Sequence, residues 1–204
     1  QLMGADISGA NFTQADLSDS DLGNANARGA TFDRANLRSS NLVGADLRES
    51  SFSAADLRDA DLSHTDMERA WLGGVDLRGV HLDGTRLPSV VGEGIVVGEV
   101  MGTPTSLPEG WQVRSGYLVG PRAVFSPTSA VGADLQSVNL SRSTLSGNFN
   151  SADLRNSNLF YSTLQGSFNS TNLQSADLKF SSLPGTLLQA DFSSADLRMS
   201  SGGN

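Results

Sequence analysis

The chain carries few side chains of the types that build catalytic or metal sites. Its 204 residues include no cysteine and two histidines, His64 and His81, which are seventeen positions apart. A two-histidine metal pair is the chemistry that this spacing could support, although we expect both imidazoles to be solvated. A thiolate metal site and a disulfide framework are excluded, and no glycine-rich phosphate loop opens a helix. We therefore expect no enzyme activity, no cofactor, no bound metal and no small-molecule substrate.

Acidic side chains form a more regular pattern. Asp46, Asp56, Asp66 and Asp76 recur every ten residues within a segment, 2–87, that holds fourteen acidic residues against eight arginines. Arginines recur beside them, at Arg28, Arg38, Arg48, Arg58 and Arg78. These charges either neutralise each other as ladders or make the four aspartates an acidic docking face. The net charge is −8, and the acidity of residues 2–87 argues against nucleic-acid or anionic-membrane binding while leaving a basic protein partner open.

A five-residue repeat sets the position of all these side chains. From Leu2 to Leu87 every fifth residue is apolar and, except at Ala27, large. A small residue usually stands two positions earlier, with Asp or Asn between the two. A period of five fits neither a helix of 3.6 residues per turn nor a two-residue strand alternation. Repetition at a fixed short period indicates a solenoid.

Near-consensus copies of the repeat are Ala15-Asp16-Leu17-Ser18-Asp19 and Ala55-Asp56-Leu57-Arg58-Asp59. Over residues 2–87 and 123–199 the chain resembles the pentapeptide-repeat family, which is typical of bacteria. The resemblance implies an all-β fold, a right-handed quadrilateral parallel β-helix with one pentapeptide on each side. It implies no single function, because one fold supports many roles.

Four pentapeptides per coil predict that residues twenty apart stack. The predicted core columns are Phe12, Phe32 and Phe52, and Leu17, Leu37, Leu57 and Leu77. In the second block, four-residue steps lead to Phe149, Phe168 and Leu187 every nineteen residues. Each short step has a glycine at the small position, namely Gly147, Gly166 and Gly185. We expect these glycines to supply the backbone freedom that a tighter corner needs.

The repeats divide the chain into four parts. Residues 1–87 form a block with twenty-residue coils, 88–122 a non-repeat Gly/Pro-rich segment, 123–199 a block with nineteen-residue coils, and 200–204 a tail. The segment 88–122 either caps a second helix or loops out of one continuous helix, and the change of coil length favours two blocks. A hairpin is predicted around Ser115 and Gly116. Trp111, Arg114 and Tyr117 there are candidate partner contacts, or else they cover an open coil end.

These features predict a non-enzymatic structural or protein-interaction module, a stiff acidic β-helical rod within a longer protein or assembly. A protein partner or self-association is expected, with no direct nucleic-acid contact and no membrane span. The resemblance implies one alternative, a DNA mimic that binds DNA gyrase or another topoisomerase. Because Gln1 lies inside the repeat, we expect a processed or excised chain. The compartment stays open, with a secreted or cell-surface location favoured over the cytoplasm.

Overall fold

The fold is all-β, a right-handed quadrilateral parallel β-helix. A computed structural model of the chain describes residues 1–87, 89 and 92–202. It divides into two compact units, Gln1–Glu109, here the N-unit, and Gly110–Asn204, the C-unit. The strands are β1 (Val96–Val97), β2 (Gln112–Arg114), β3 (Tyr117–Val119), β4 (Val124–Phe125), β5 (Thr144–Leu145), β6 (Thr163–Leu164), β7 (Ser182–Leu183) and β8 (Ser201–Gly202). Across the described residues, no helix is long and apolar enough to traverse a bilayer.

Neighbouring coils of the N-unit are joined by parallel backbone bridges between residues twenty apart, such as Asp6 with Asn26 and Asn26 with Asp46. At each side one N–H group points forward and one points back. Leu22 donates to the Asn41 carbonyl at 2.8 Å, and Asn41 donates to the Ser20 carbonyl at 2.9 Å. The backbone polar groups on each side are thereby paired, as burial between coils requires.

Each side of a coil ends in a tight turn with a left-handed residue. The Ala25 N–H donates to the Leu22 carbonyl at 3.0 Å, and Asn24 between them has a φ of 55°. A positive φ at the third residue of a turn favours Gly or Asn. In every pentapeptide from Gly4 to Gly84 the second residue after the central apolar one, here called the left-handed position, has a positive φ. Many of these residues are neither Gly nor Asn.

The core is a set of stacked columns along the helix axis. Phe12, Phe32 and Phe52 stack with centroids 5.2 and 4.9 Å apart and interplanar angles of 6° and 10°. Phe149 and Phe168 stack at 4.8 Å in the C-unit. Other predicted core residues, Leu37, Leu57 and Leu77, are buried. Phe12, Leu17 and Leu187 are half-buried, because each has a neighbouring coil on one side only.

Coil pairing in the N-unit continues past the last pentapeptide. Val96 pairs with Asp76, Met101 with His81 and Ser106 with Arg86. Ile95, Val97 and Val100 are buried in that segment. Residues 92–106 therefore add coil pairing without a pentapeptide sequence, and the predicted segment 88–122 is divided between the two units at Glu109.

The C-unit begins with an antiparallel hairpin, β2 paired with β3, in which Val113 lies opposite Leu118. Strands β4 to β8 then form one parallel sheet along a single side of the coils. From Asp134 onward the bridged residues are nineteen apart, as in the pair Asp134 and Asp153. Each coil is thus one residue shorter than a coil of the N-unit.

The shortened corner is a column of glycines whose backbones approach closely. A Cβ at Gly166 would lie 2.3 Å from the Gly147 carbonyl oxygen, and a Cβ at Gly185 would lie 2.3 Å from that of Gly166. Gly147 has a φ of +126°, whereas Gly166 and Gly185 lie outside the left-handed region. Lack of space between coils, not conformational freedom, is therefore the reason for glycine at these two positions.

The close approach predicts a large cost for a single methyl group. Gly166→Ala pushes a Cβ against the Gly147 oxygen and is expected to lower the free energy of unfolding by about 3 kcal/mol, the upper range for overpacking. Gly132→Ala is the control, because Gly132 has a φ of +67° and open space around it. That change should cost about 1 kcal/mol, from left-handed strain alone. Equal losses in urea denaturation of the two variants would contradict the explanation.

Candidate functional site

The Asp or Asn before each central residue caps the turn that follows. Asp46 accepts the backbone N–H of Arg48 at 3.2 Å, and Asp56 accepts that of Arg58 at 3.1 Å. These are Asx turns, in which the side chain satisfies a backbone donor two residues on. Asn36 also donates through its amide to the Asp16 carboxylate at 3.0 Å, one coil away. The acidic pattern is therefore part of the coil architecture.

The four candidate aspartates are paired with arginines. Arg48 donates through Nε to Asp46 at 2.8 Å, and Arg58 does the same to Asp56. Each of these pairs lies within one pentapeptide, because an Arg two residues on reaches back to the capping carboxylate. Across coils, Arg58 also lies 3.8 Å from the Asp76 carboxylate.

Of the other two aspartates, Asp76 is paired within its own pentapeptide and Asp66 with an arginine one coil away. Arg78 donates to Asp76 through Nη2 at 2.6 Å, and the Asp76 side chain is only 19% exposed. Arg86 lies 2.9 Å from Asp66 and 3.1 Å from Glu68. The predicted acidic column is thus a row of compensated carboxylates with partly covered side chains.

These contacts lower the pKa of several carboxyl groups. The Arg48 guanidinium holds the pKa of Asp46 below its ordinary value, and Arg58 does the same for Asp56, in each case against the opposing effect of partial burial. Arg155 lowers the pKa of Asp153. The hydrogen bond from Arg198 lowers the pKa of Asp196 to about 2.

The candidate contacts of the hairpin are used inside the C-unit. Arg114 forms an ion pair with Asp134 at 2.8 Å. The Tyr117 hydroxyl donates to the Ser129 carbonyl at 2.5 Å, and its ring meets Phe125 edge-on with centroids 5.9 Å apart. The Trp111 indole covers Gly120 so closely that a Cβ there would lie 2.1 Å from the ring. All three side chains are half-buried.

Nothing in the described part of the chain adds support for a metal site that includes the two histidines. His64 is exposed at a left-handed position with a φ of 60°. Its imidazole lies over Gly84, where a Cβ would be 2.3 Å from Nδ1. Among the described residues, no group of three or more His, Cys, Asp or Glu side chains could hold a metal ion.

An open groove of about 460 Å³ lies beside the last coil of the C-unit. Its lining is formed by Leu183, Pro184, Gly185, Thr186, Leu187, Leu188 and Gly202. None of these residues has a titratable side chain, so the groove offers no acid, base or charged nucleophile.

Sequence reasoning missed one exposed cluster on the C-unit. We call Phe160, Tyr161, Lys179, Phe180 and Met199 the aromatic corner. Tyr161 and Phe180 stack with centroids 4.9 Å apart and planes 5° apart, while Phe160 meets both rings edge-on at 4.8 and 5.7 Å. The available signal was the nineteen-residue spacing of Tyr161, Phe180 and Met199, which places them in one column.

The turn geometry does not require aromatic residues at the positions of the aromatic corner. Tyr161 has a φ of 56° and Phe180 a φ of 58°, and a residue with a Cβ in that region costs about 1–2 kcal/mol. Stacking of the Tyr161 and Phe180 rings stabilises the fold by about 0.5–1.5 kcal/mol in total. Other left-handed positions of the C-unit hold small residues such as Ser137, Ser151 and Ser170. Serine bears the same backbone cost at these positions, so the turn geometry does not select for aromatic rings.

Comparison with known proteins identifies the repeat. A family model described as pentapeptide repeats matches the chain in eight copies, among them residues 1–38, 15–53, 32–69 and 40–79. No curated protein matches the chain. A solved pentapeptide repeat protein from the Arabidopsis thaliana thylakoid lumen is 29% identical, with a TM-score of 0.38, over 45% of this chain and 67% of that chain.

Two further solved structures match nearly the whole chain. HetL, a pentapeptide repeat protein involved in heterocyst differentiation regulation in the cyanobacterium Nostoc sp. strain PCC 7120, is 20% identical over 97% of this chain and 84% of its own, with a TM-score of 0.27. QnrB1, a plasmid-mediated fluoroquinolone resistance protein, is 18% identical over 96% of this chain and 84% of its own, with a TM-score of 0.39.

The lowered pKa values predict a loss of stability in acid. A carboxyl whose pKa is lower in the folded than in the unfolded state stabilises the fold fully above the unfolded value and loses that effect as the pH falls through the folded one. For Asp196 the window runs from its ordinary 3.8 down to about 2. Urea unfolding between pH 7 and pH 2 measures it. Asp196→Asn should flatten the decline, and parallel curves for both proteins would contradict the prediction.

The double role of Asp56 predicts a difference between two substitutions. Asp56→Asn keeps an acceptor for the Arg58 N–H and removes the ion pair, which should cost below about 1 kcal/mol because exposed pairs contribute little. Asp56→Ala also removes the turn cap and should cost about 1 kcal/mol more. The free energies of unfolding in urea measure both. An equal loss would mean that the ion pair, not the cap, is what stabilises the turn.

Proposed function

Because this chain belongs to the pentapeptide-repeat family, we propose that it is a non-enzymatic structural and protein-interaction module whose acidic N-unit meets a basic protein partner. The observation that carries the proposal is the charge of the two units. Residues 1–109 hold seventeen Asp and Glu against eight Arg, giving −9, whereas residues 110–204 hold five Asp against six Arg and Lys, giving +1. An excess of one sign on one unit steers association with a partner of the opposite sign.

The use of polar side chains supports binding over catalysis. Aspartates and asparagines cap turns, and arginines pair with the capping carboxylates. A catalytic group needs a free acid, base or nucleophile within reach of a substrate. Side chains that are hydrogen-bonded within the coils are instead typical of a rigid scaffold whose regular outer surface binds other proteins.

Some of the exposed acidic residues of the N-unit lie at its turn corners. Asp19, Glu49 and Asp59 occupy left-handed positions and are exposed. Glu49 lies 2.8 Å from Arg28, and Asp59 lies 3.2 Å from Arg38, yet their side chains remain 43% and 51% exposed. By comparison, Asp46, Asp56, Asp66 and Asp76 are more covered, so we propose them as secondary contacts behind these corners.

A charge-neutralising variant tests this function. The triple change Asp19→Asn, Glu49→Gln and Asp59→Asn preserves size and hydrogen-bonding capacity while removing three exposed charges. Chemical cross-linking in extracts of the source organism, read by mass spectrometry, should identify a basic protein whose yield falls at least tenfold with the triple variant. Asp191→Asn in the C-unit is the control and should leave the yield unchanged. A cross-linked set that is identical for both variants would count against the proposal.

Acidity of the N-unit also favours the second candidate, DNA mimicry toward a bacterial topoisomerase. A supercoiling assay with purified DNA gyrase and added full chain tests it. Inhibition, or protection from a gyrase poison, at micromolar protein would support this candidate, and the triple variant should be weaker. No effect at micromolar concentrations of the intact chain would eliminate it and leave the first proposal standing.

A further inference from the structure

The aromatic corner groups exposed apolar side chains at one place on the C-unit. Tyr161, Phe180 and Met199 are 53%, 39% and 76% exposed. All three occupy left-handed positions, where the fold favours small or flexible residues. Large apolar residues that a fold does not require, grouped on a surface, are typical of a binding site.

Stacking covers part of the aromatic surface of this cluster. Tyr161 and Phe180 lie face to face within 4.9 Å, so each covers one face of the other. Phe160 closes the cluster edge-on. A ligand that stacks flat on an aromatic face, such as a sugar ring or a base, therefore finds little free face between them. Apolar side chains that pack against ring edges fit this surface better.

The charged residues at the turn positions of this corner are all positive. The two turn positions of each coil here hold Pro121 and Arg122, Ser141 and Arg142, Phe160 and Tyr161, Lys179 and Phe180, and Arg198 and Met199. Carboxylates of the adjacent wall compensate Lys179 and Arg198. Within the described residues, no carboxylate forms an ion pair with Arg142, next to Tyr161 in the column. The corner thus complements an anionic ligand that also carries apolar side chains.

The length of the column sets the size of the ligand. From Arg122 to Met199 the column spans four coil spacings, or about 19 Å at about 4.8 Å each, which is the length of about six residues of extended chain. A stable interface between globular surfaces buries about 800 Å² on each partner, more than one corner presents. The dimensions therefore suit a short linear segment.

We propose that the aromatic corner binds an acidic linear segment of a partner protein through one or two apolar anchor residues, with Arg142 contacting a carboxylate of the segment. This inference rests on the proposed function as an interaction module and adds a second surface, on the C-unit, with a partner of opposite charge preference. A segment docked here leaves the acidic corners of the N-unit free.

Three fluorescent ten-residue peptides test the proposal against the full chain. They share one Leu and one Phe and carry Glu, Gln or Lys at all other positions, and binding is followed by anisotropy. The Glu peptide should bind at least tenfold more tightly than the Gln peptide, and its affinity should fall as salt rises. Equal affinities, or no saturable binding of the Glu peptide up to about 1 mM, would overturn the proposal.

Variants locate the binding. Tyr161→Asn with Phe180→Asn keeps residues that tolerate a left-handed backbone and should weaken Glu-peptide binding at least tenfold. Arg142→Gln should weaken it about threefold to tenfold and reduce its salt dependence. Leu188→Asn is the control, because Leu188 is 67% exposed outside the aromatic corner, and it should change nothing. Unaltered binding by the double variant would sink the assignment.

Three further readouts, namely thermal stability, dimerisation and vesicle binding, distinguish competing roles. The double variant should keep the thermal midpoint of the native chain within a few degrees, whereas a fall of more than about 8 °C would make the rings structural and overturn the proposal. Concentration-dependent dimerisation, or binding to vesicles of anionic lipid, that the double variant abolishes would assign the corner to a second copy or to a membrane instead. Failure of every peptide alongside successful cross-linking through the N-unit would reject this inference and leave the proposed function intact.

Discussion

Backbone pairing between successive coils is the constraint on which every other feature of this chain depends. Neighbouring parallel strands are held about 4.8 Å apart by their hydrogen bonds, so each residue is placed that far from its equivalent on the next coil. This spacing brings Phe32 and Phe52 into a 4.9 Å stack and places Asn36 in hydrogen-bond range of Asp16. It also brings Gly166 against Gly147, where no Cβ fits. Core, wall and corner are consequences of one repeated distance.

Periodicity explains why so much of the architecture could be predicted. Columns twenty and nineteen residues apart anticipate the bridges Asp6 to Asn26 and Asp134 to Asp153, because every coil contributes a copy of the same signal. Residues 92–106 lack that signal and still pair with the N-unit, through Val96 and Met101. Backbone hydrogen bonding needs a suitable chain path and apolar inward residues, not the pentapeptide itself. A prediction based on the pentapeptide motif alone therefore ends the N-terminal β-helix too early.

Outward positions were harder to predict, because their side chains can turn in several directions. The positions of Asp56 and Arg58 predicted a charged wall, but not that Arg58 turns back to the carboxylate that caps its own turn. Trp111, Arg114 and Tyr117 were expected at a cap or a partner surface, and their contacts lie within the C-unit. Tyr161 and Phe180 were missed because they occupy outward turn positions, where solvation is the usual expectation. Their nineteen-residue spacing carried the signal.

The fixed coil length restricts how such a chain can grow. An insertion of five residues between Phe32 and Phe52 would turn the later coils of the N-unit by one side of the square, so Phe52 would no longer lie over Phe32. An insertion of twenty residues in the N-unit would add one whole coil and keep every column in register. In the C-unit the corresponding length is nineteen residues. Gene duplication of whole coils therefore lengthens either unit without disturbing the stacking, while shorter changes break it. Adding whole coils to the C-unit ahead of the aromatic corner moves that surface along the axis of the unit by a set distance, and leaves its outward direction unchanged.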